Sequence, residues 1–209
     1  MMKIQHNIIG MCATNTYYAY DEERKEGVIV DPAGDPVRIF EKVEKLGFTP
    51  KAILITHGHF DHILAVEDVR QKYGIPAYIG STEEKVLHDP YMNLTEMFMG
   101  TPMTLDADVY LQDGEEFTVA GYKVKAIEVP GHTIGGMCYY FEEEGILFSG
   151  DTLFCESVGR SDLPGGSGSA LCKSIKEKLF VLPDDTEVYP GHMEFTTIGS
   201  EKQNNPFCQ

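Results

Sequence analysis

The chain has 209 residues, 42% of them hydrophobic, enough to bury the core of one domain spanning 1–209 or of two fused halves sharing a core. Its 33 acidic residues against 17 basic, a formal charge of −16 with no Lys/Arg cluster, argue against a nucleic-acid backbone or an anionic membrane as partner. Five widely spaced cysteines without a C-x-x-C, no apolar run of about 18 residues and no signal-peptide pattern at the start point to a reduced, cytoplasmic protein.

Residues 16–20 and 27–31 are short β-branched or aromatic runs around a charged turn, and predict a hairpin. Asp35 then reads as a helix N-cap with Pro36 at the first helical position, and Gly47 closes that helix. The apolar run 52–56 predicts a buried strand. Asp61 reads as the cap of the next helix, with Ile63, Val66, Val69 and Tyr73 on its inner face, and 76–80 as another strand. Residues 86–104 are different: Met92, Met97, Met99 and Met103 lie among aromatics. Two readings stand for this stretch, an irregular loop packed on the body or a flexible apolar lid. Beyond Asp113-Gly114, strands are expected at 116–120, 122–129, 137–141 and 145–149, a helix at 169–180 and a strand at 187–189. The glycine-rich stretch 164–168 lacks the Lys-Ser/Thr of a phosphate loop. Both halves run hairpin, strand, helix, strand, which suggests a layered α/β architecture of two similar halves.

Chemistry concentrates in the run His57-Gly58-His59-Phe60-Asp61-His62 and in three later turns that carry His132, Asp151 and His192. Five of the seven histidines fall in this set. His57, Asp151 and His192 each follow a strand-like run, and strand ends on one sheet edge converge. Imidazole with carboxylate suits zinc, iron or manganese. Seven candidates exceed the four ligands of one tetrahedral site, whereas two ions with a bridging carboxylate use them all. His57 and His59 can reach one ion from a tight turn, which leaves Asp61 and His62 for a second.

This ordered set resembles the metallo-β-lactamase-fold superfamily. Within it the chain is most similar to short glyoxalase II-like (hydroxyacylglutathione hydrolase) proteins, through Pro130-Gly131-His132-Thr133-Ile134-Gly135-Gly136, Gly150-Asp151-Thr152-Leu153-Phe154, Val158-Gly159-Arg160-Ser161-Asp162, Thr197-Ile198-Gly199-Ser200-Glu201 and Asn205-Pro206-Phe207. The resemblance implies a four-layer αββα sandwich. It implies His57, His59 and His132 on one metal and Asp61, His62 and His192 on the other. Asp151 would bridge the two, and Asp61 and Asp151 would be the catalytic carboxylates. It places Asp31 behind the ligands and Arg160 against the glutathione moiety of a substrate. Asp31 also reads as a plain turn residue before Pro32, and Arg160 as a surface side chain.

The implied cofactors are two divalent ions, zinc first, with iron or manganese as alternatives. Two such ions would lower the pKa of a water held there toward neutrality and polarise a carbonyl for its attack. A thiolate, whose conjugate acid has a pKa of about 8.5, leaves without a dedicated acid, so a small-molecule thioester of S-lactoylglutathione type is the expected substrate. The alternatives are a mononuclear iron persulfide dioxygenase-like oxidoreductase and a lactonase or β-lactamase of the same fold. Asp rather than Cys at 151 speaks against the β-lactamase pattern. The C-terminal helical region that helps glyoxalase II hold glutathione is mostly missing from this sequence, which stops about seventeen residues after His192.

Overall fold

The structure, a computed structural model, describes Met1–Cys208. One sheet runs in chain order: β1 (Met2–Ile9), β2 (Thr14–Asp21), β3 (Glu26–Val30), β4 (Thr49–Leu54), β5 (Ala77–Gly80) and β6 (Val109–Leu111). The β1-β2-β3 meander is antiparallel, and β3 to β6 are parallel. The second sheet is built from β7 (Glu116–Val119), β8 (Tyr122–Glu128), β9 (Met137–Phe141) and β10 (Ile146–Gly150). A small ribbon of β11 (Leu153–Phe154) and β12 (Ser157–Val158) precedes its last strands, β13 (Glu187–Pro190) and β14 (Thr196–Thr197). Its spatial order is β14-β13-β10-β9-β8-β7, with β10 and β13 parallel.

All eight residues of β2 are buried, because the strand is covered on both faces. Tyr17 and Ala19 join a cluster between the sheets with Val28, Leu54, Tyr139 and Phe148. Tyr18 and Tyr20 face the other way, onto the helix side of the first sheet. That side is covered by the helices Pro36–Leu46 and Val66–Tyr73 through Ile39, Val43, Val66 and Val69. The second sheet's outer face is covered by a helix that starts as α-helix at Gly168–Ser174 and continues as a π-helical turn at Ile175–Leu179, burying Leu171, Ile175 and Leu179. The layers are therefore helix, sheet, sheet, helix, as the resemblance implied.

Several local expectations differ. Strand β1 was not legible in the sequence. Asp35 occupies the cap position at φ 46° without a side-chain cap; its backbone carbonyl accepts from the Arg38 and Ile39 amides instead. Asp61 lies inside the first turn of a four-residue helix, Phe60–Ile63, rather than capping the long one. Its carboxylate receives the Thr14 hydroxyl at 3.0 Å. The segment 86–104 is folded: a short helix Glu84–Leu87, a loop held by the Asn93 side chain to Leu87 O and Met103 O, and a second helix Thr95–Met99.

Candidate metal centre

Strand ends carry most of the site, and His59, Asp61 and His62 lie on the loop and short helix Phe60–Ile63 that follow one of them. Asp31 follows β3, His57 follows β4, His132 follows β8, Asp151 follows β10 and His192 follows β13. All seven candidate ligands converge. Ligand atoms of His57, His59 and His132 lie within 4.8 Å of one another, as do those of Asp61, His62 and His192. Asp151 forms a third such group with His57 and His62, and so stands between the other two. Its Oδ2 lies 3.6 Å from His132 Nε2 and 3.4 Å from His192 Nε2, and its Oδ1 lies 3.4 Å from His62 Nε2.

Hydrogen bonds behind the rings assign the tautomers. Thr56 Oγ1 donates its only proton to Asp31 Oδ2 at 2.7 Å, so at 3.1 Å it accepts from His57 Nδ1–H. His62 Nδ1–H donates to Asp31 Oδ2 at 2.9 Å, and His132 Nδ1–H to the Arg160 carbonyl at 2.7 Å. The neutral His57 and His132 rings then turn a bare Nε2 inward, and His62 turns its Nε2 toward Asp151. The bare His57 and His132 nitrogens face one another at 3.2 Å, and His59 Nδ1 is 2.9 Å from His132 Nε2. Two lone pairs aimed at each other repel unless a cation lies between them. The buried His62 Nε2 and Asp151 Oδ1 have no hydrogen-bond partner. Inward lone pairs, orphaned acceptors and a nitrogen-oxygen donor set fit divalent metals.

The electrostatics agree with that fit. Burial, then neighbouring imidazoles, hold His57 well below its ordinary range, and burial brings His59 down to about 3. These rings stay neutral and free to ligate. Burial also acts on His62 and His192, but the surrounding carboxylates outweigh it: Asp61, Asp151 and Asp31 push His62 well up, and Asp151 with Asp61 push His192 to about 9. Protons there occupy the place of cations, and metal binding would release them. Burial alone would raise the Asp151 carboxyl; the rings of His62, His192 and His132 hold it well below its usual range.

Asp31 is the hub of this support. At φ 47° its left-handed backbone is one non-glycine residues seldom adopt. Its oxygens take the Thr56 amide and hydroxyl, both at 2.7 Å, and the His62 ring. Gly191 has no room for a Cβ, which would collide with the Asp151 carboxylate and the His62 ring.

Other supports lay outside the sequence reading. Buried Glu83 accepts Gly58 N–H at 2.8 Å and Gly135 N–H at 2.9 Å, tying together the two loops that supply the first three imidazoles. Asn15 Nδ2 donates to Pro190 O and Met193 O, both at 3.1 Å, and pins the His192 turn to the opposite sheet. The one available signal was the polar run Thr14-Asn15-Thr16 leading into the strand expected at 16–20.

A pocket of about 420 Å³ opens beside the cluster, and His59, Asp61, His132, Asp151 and His192 lie on its floor. Arg160 lies on its wall. Phe98, from the methionine-rich segment, lies there too. So does Cys12, whose thiol is pushed up to about 11 by burial and by Asp61, a poor nucleophile. Cys138 is buried, His88 is exposed and pairs with Asp106, and His6 lies edge-on to Phe195; none joins the cluster.

With fold and cluster in place, comparison with known proteins gives the class. The metallo-β-lactamase superfamily model matches residues 9–192, and the chain belongs to that superfamily. A probable metallo-hydrolase, YqgX of Bacillus subtilis, is 36% identical over 207 residues, covering 99% of this chain and 97% of that protein. Hydroxyacylglutathione hydrolase GloC of Haemophilus influenzae is 34% identical over 197 residues, 92% of each chain. Among solved structures, BLEG-1 B3 metallo-β-lactamase superposes with TM-score 0.93 at 40% identity over 99% of both chains. TTHA1623 in a di-iron-bound form gives 0.84 at 32% identity, covering 97% of this chain and 99% of that one. ETHE1 from Myxococcus xanthus gives 0.81 at 30%, covering 98% and 84%. The protein is a metallo-hydrolase-fold enzyme with a His/Asp cluster able to hold divalent metal. Among the described residues no helix is long and apolar enough to cross a membrane.

Proposed function

We propose that the protein is a binuclear metallohydrolase that cleaves a thioester, in the manner of hydroxyacylglutathione hydrolases. The observation that carries this reading is Asp151, which reaches toward both triads. A single-ion enzyme has no need of the second triad Asp61, His62 and His192. Two ions held there would supply a water of lowered pKa and a Lewis acid for the carbonyl. His57, His59 and His132 would hold one, and Asp61, His62 and His192 the other.

The remaining work falls to the chain. Asp31, Glu83 and Asn15 fix the ligand loops, so little reorganisation accompanies reaction. The pocket walls limit water around the bound thioester. Among the described residues the wall carries no imidazole or carboxyl group apart from the candidate metal ligands to act as an acid for a strongly basic leaving group, which suits a thiolate and not an amine. Zinc, iron and manganese all suit the donor set, and the GloC relative supports the thioester reading by its name.

A mononuclear iron oxidoreductase is the second reading, favoured by the ETHE1 likeness. Thiol release from S-lactoylglutathione and from simpler thioesters, with metals quantified on the same sample, separates the two. About two metals per chain with oxygen-independent thiol release is expected. One iron per chain with oxygen consumption and no thioester turnover would overturn the hydrolase reading.

A further inference from the structure

The pocket wall has a composition that ligand chemistry does not explain. It is formed by Phe60, Leu94, Phe98, Phe154, Leu163 and Met193, among others. Phe60 and Phe98 stack with centroids 5.4 Å apart. Yet Phe98 is 49% exposed and Met193 59% exposed, so apolar surface faces solvent where a ligand would cover it. Leu94 and Met193 hold φ 67° and 68°, backbone conformations that are costly for their residue types.

Charge is the second observation. Among the described residues Arg160 is the only Lys or Arg on the wall. Its guanidinium is already engaged: Nε donates to Asp162 Oδ1 at 2.7 Å and Nη2 to Asp162 Oδ2 at 2.8 Å. The pair is neutral as a unit. Two divalent ions would still leave a chain of formal charge −16 strongly anionic. Glutathione carries two carboxylates and, among the described residues, would meet no uncompensated Lys or Arg on this wall.

We propose that the wall selects an uncharged thioester with an apolar acyl group, and that Asp162 neutralises Arg160 so that anionic thiol carriers gain nothing there. This rests on the thioester reading and narrows its substrate class.

The test uses non-hydrolysable thioethers on the metal-loaded protein, so that no turnover is needed. S-methyl and S-hexyl derivatives of glutathione and of uncharged N-acetylcysteamine are titrated calorimetrically. On either carrier the hexyl compound is expected to bind about 30-fold tighter than the methyl one. Glutathione is expected to give no gain over N-acetylcysteamine beyond about twofold. Phe98→Ala should shrink the hexyl-to-methyl ratio severalfold. Asp162→Asn should free the guanidinium and tighten S-hexylglutathione about fivefold, leaving S-hexyl-N-acetylcysteamine unchanged. A wild-type preference for glutathione above about tenfold, or equal affinity for methyl and hexyl, would overturn the proposal. Failure of every thioester to turn over would instead remove the thioesterase reading, and the affinities would still report what the wall selects.

Discussion

The ligand bed and the wall that faces it are built in opposite ways. In the bed, His57, His59, His62 and His132 are nearly inaccessible, and three of these rings are held from behind by Asp31, Thr56 or the Arg160 carbonyl. The wall is carried by Phe98 on a five-residue helix, Met193 on a turn and an exposed Arg160–Asp162 pair. The bed is over-determined because ligand lone pairs must meet within a fraction of an ångström. The wall needs only shape and polarity, which mobile apolar side chains supply. On the proposed reading, one chemistry is fixed in the sheet ends while substrate choice is left to short, exposed segments.

Mutations in the bed should then act far more strongly than mutations in the wall. The largest effect is expected for His59→Ala, which removes one of three imidazoles from the first triad. Metal content should fall together with activity, the latter by about a thousandfold or more. Full metal stoichiometry in that variant would remove His59 from the ligand set. Next comes Asp31→Asn. The amide can no longer accept from Thr56 and His62 as a carboxylate does, and metal affinity should drop about 10- to 100-fold, read by competition with a chelator. An unchanged affinity would reduce Asp31 to a turn residue.

Glu83→Gln tests the bed through stability. Burial raises the Glu83 carboxyl to about 7, against the opposing pull of the Gly58 and Gly135 amides, from an ordinary 4.5. The folded chain therefore holds that proton over a range where the unfolded chain has lost it. This contribution is full below pH 4.5 and is lost as the pH rises through about 7. Denaturant unfolding of the metal-free protein should show the wild type losing on the order of 3 kcal/mol across that window relative to Glu83→Gln. Parallel pH curves would contradict the assignment. The smallest stability effect belongs to the wall: Arg160→Ala should change unfolding free energy by less than about 0.5 kcal/mol, since its ion pair is exposed. A larger loss would mean that the wall is as firmly built as the bed.

How legible these two regions were in the sequence follows the same division. The ligand run could be read because metal chemistry demands particular side chains at short spacing, and the strand ends that converge were visible as apolar runs. The support behind them was hidden. Asp31-Pro32 reads equally well as a turn, and Glu83 contacts Gly58 and Gly135 from 25 and 52 residues away, with no local pattern to announce it. Arg160 was visible as a cation, but its pairing with Asp162 depends on side-chain direction. Strand β1 escaped because its residues alternate weakly between apolar and polar, and its place is set by pairing with β2. Nothing in the composition of residues 169–180 marks the π-helical turn at Ile175–Leu179.

Anomalous diffraction from crystals of the metal-loaded protein tests the central claim most directly. Two peaks are predicted, one within bonding distance of His57, His59 and His132 and the other of Asp61, His62 and His192, with Asp151 touching both. A single fully occupied peak, with the second triad empty at saturating metal, would contradict the binuclear account.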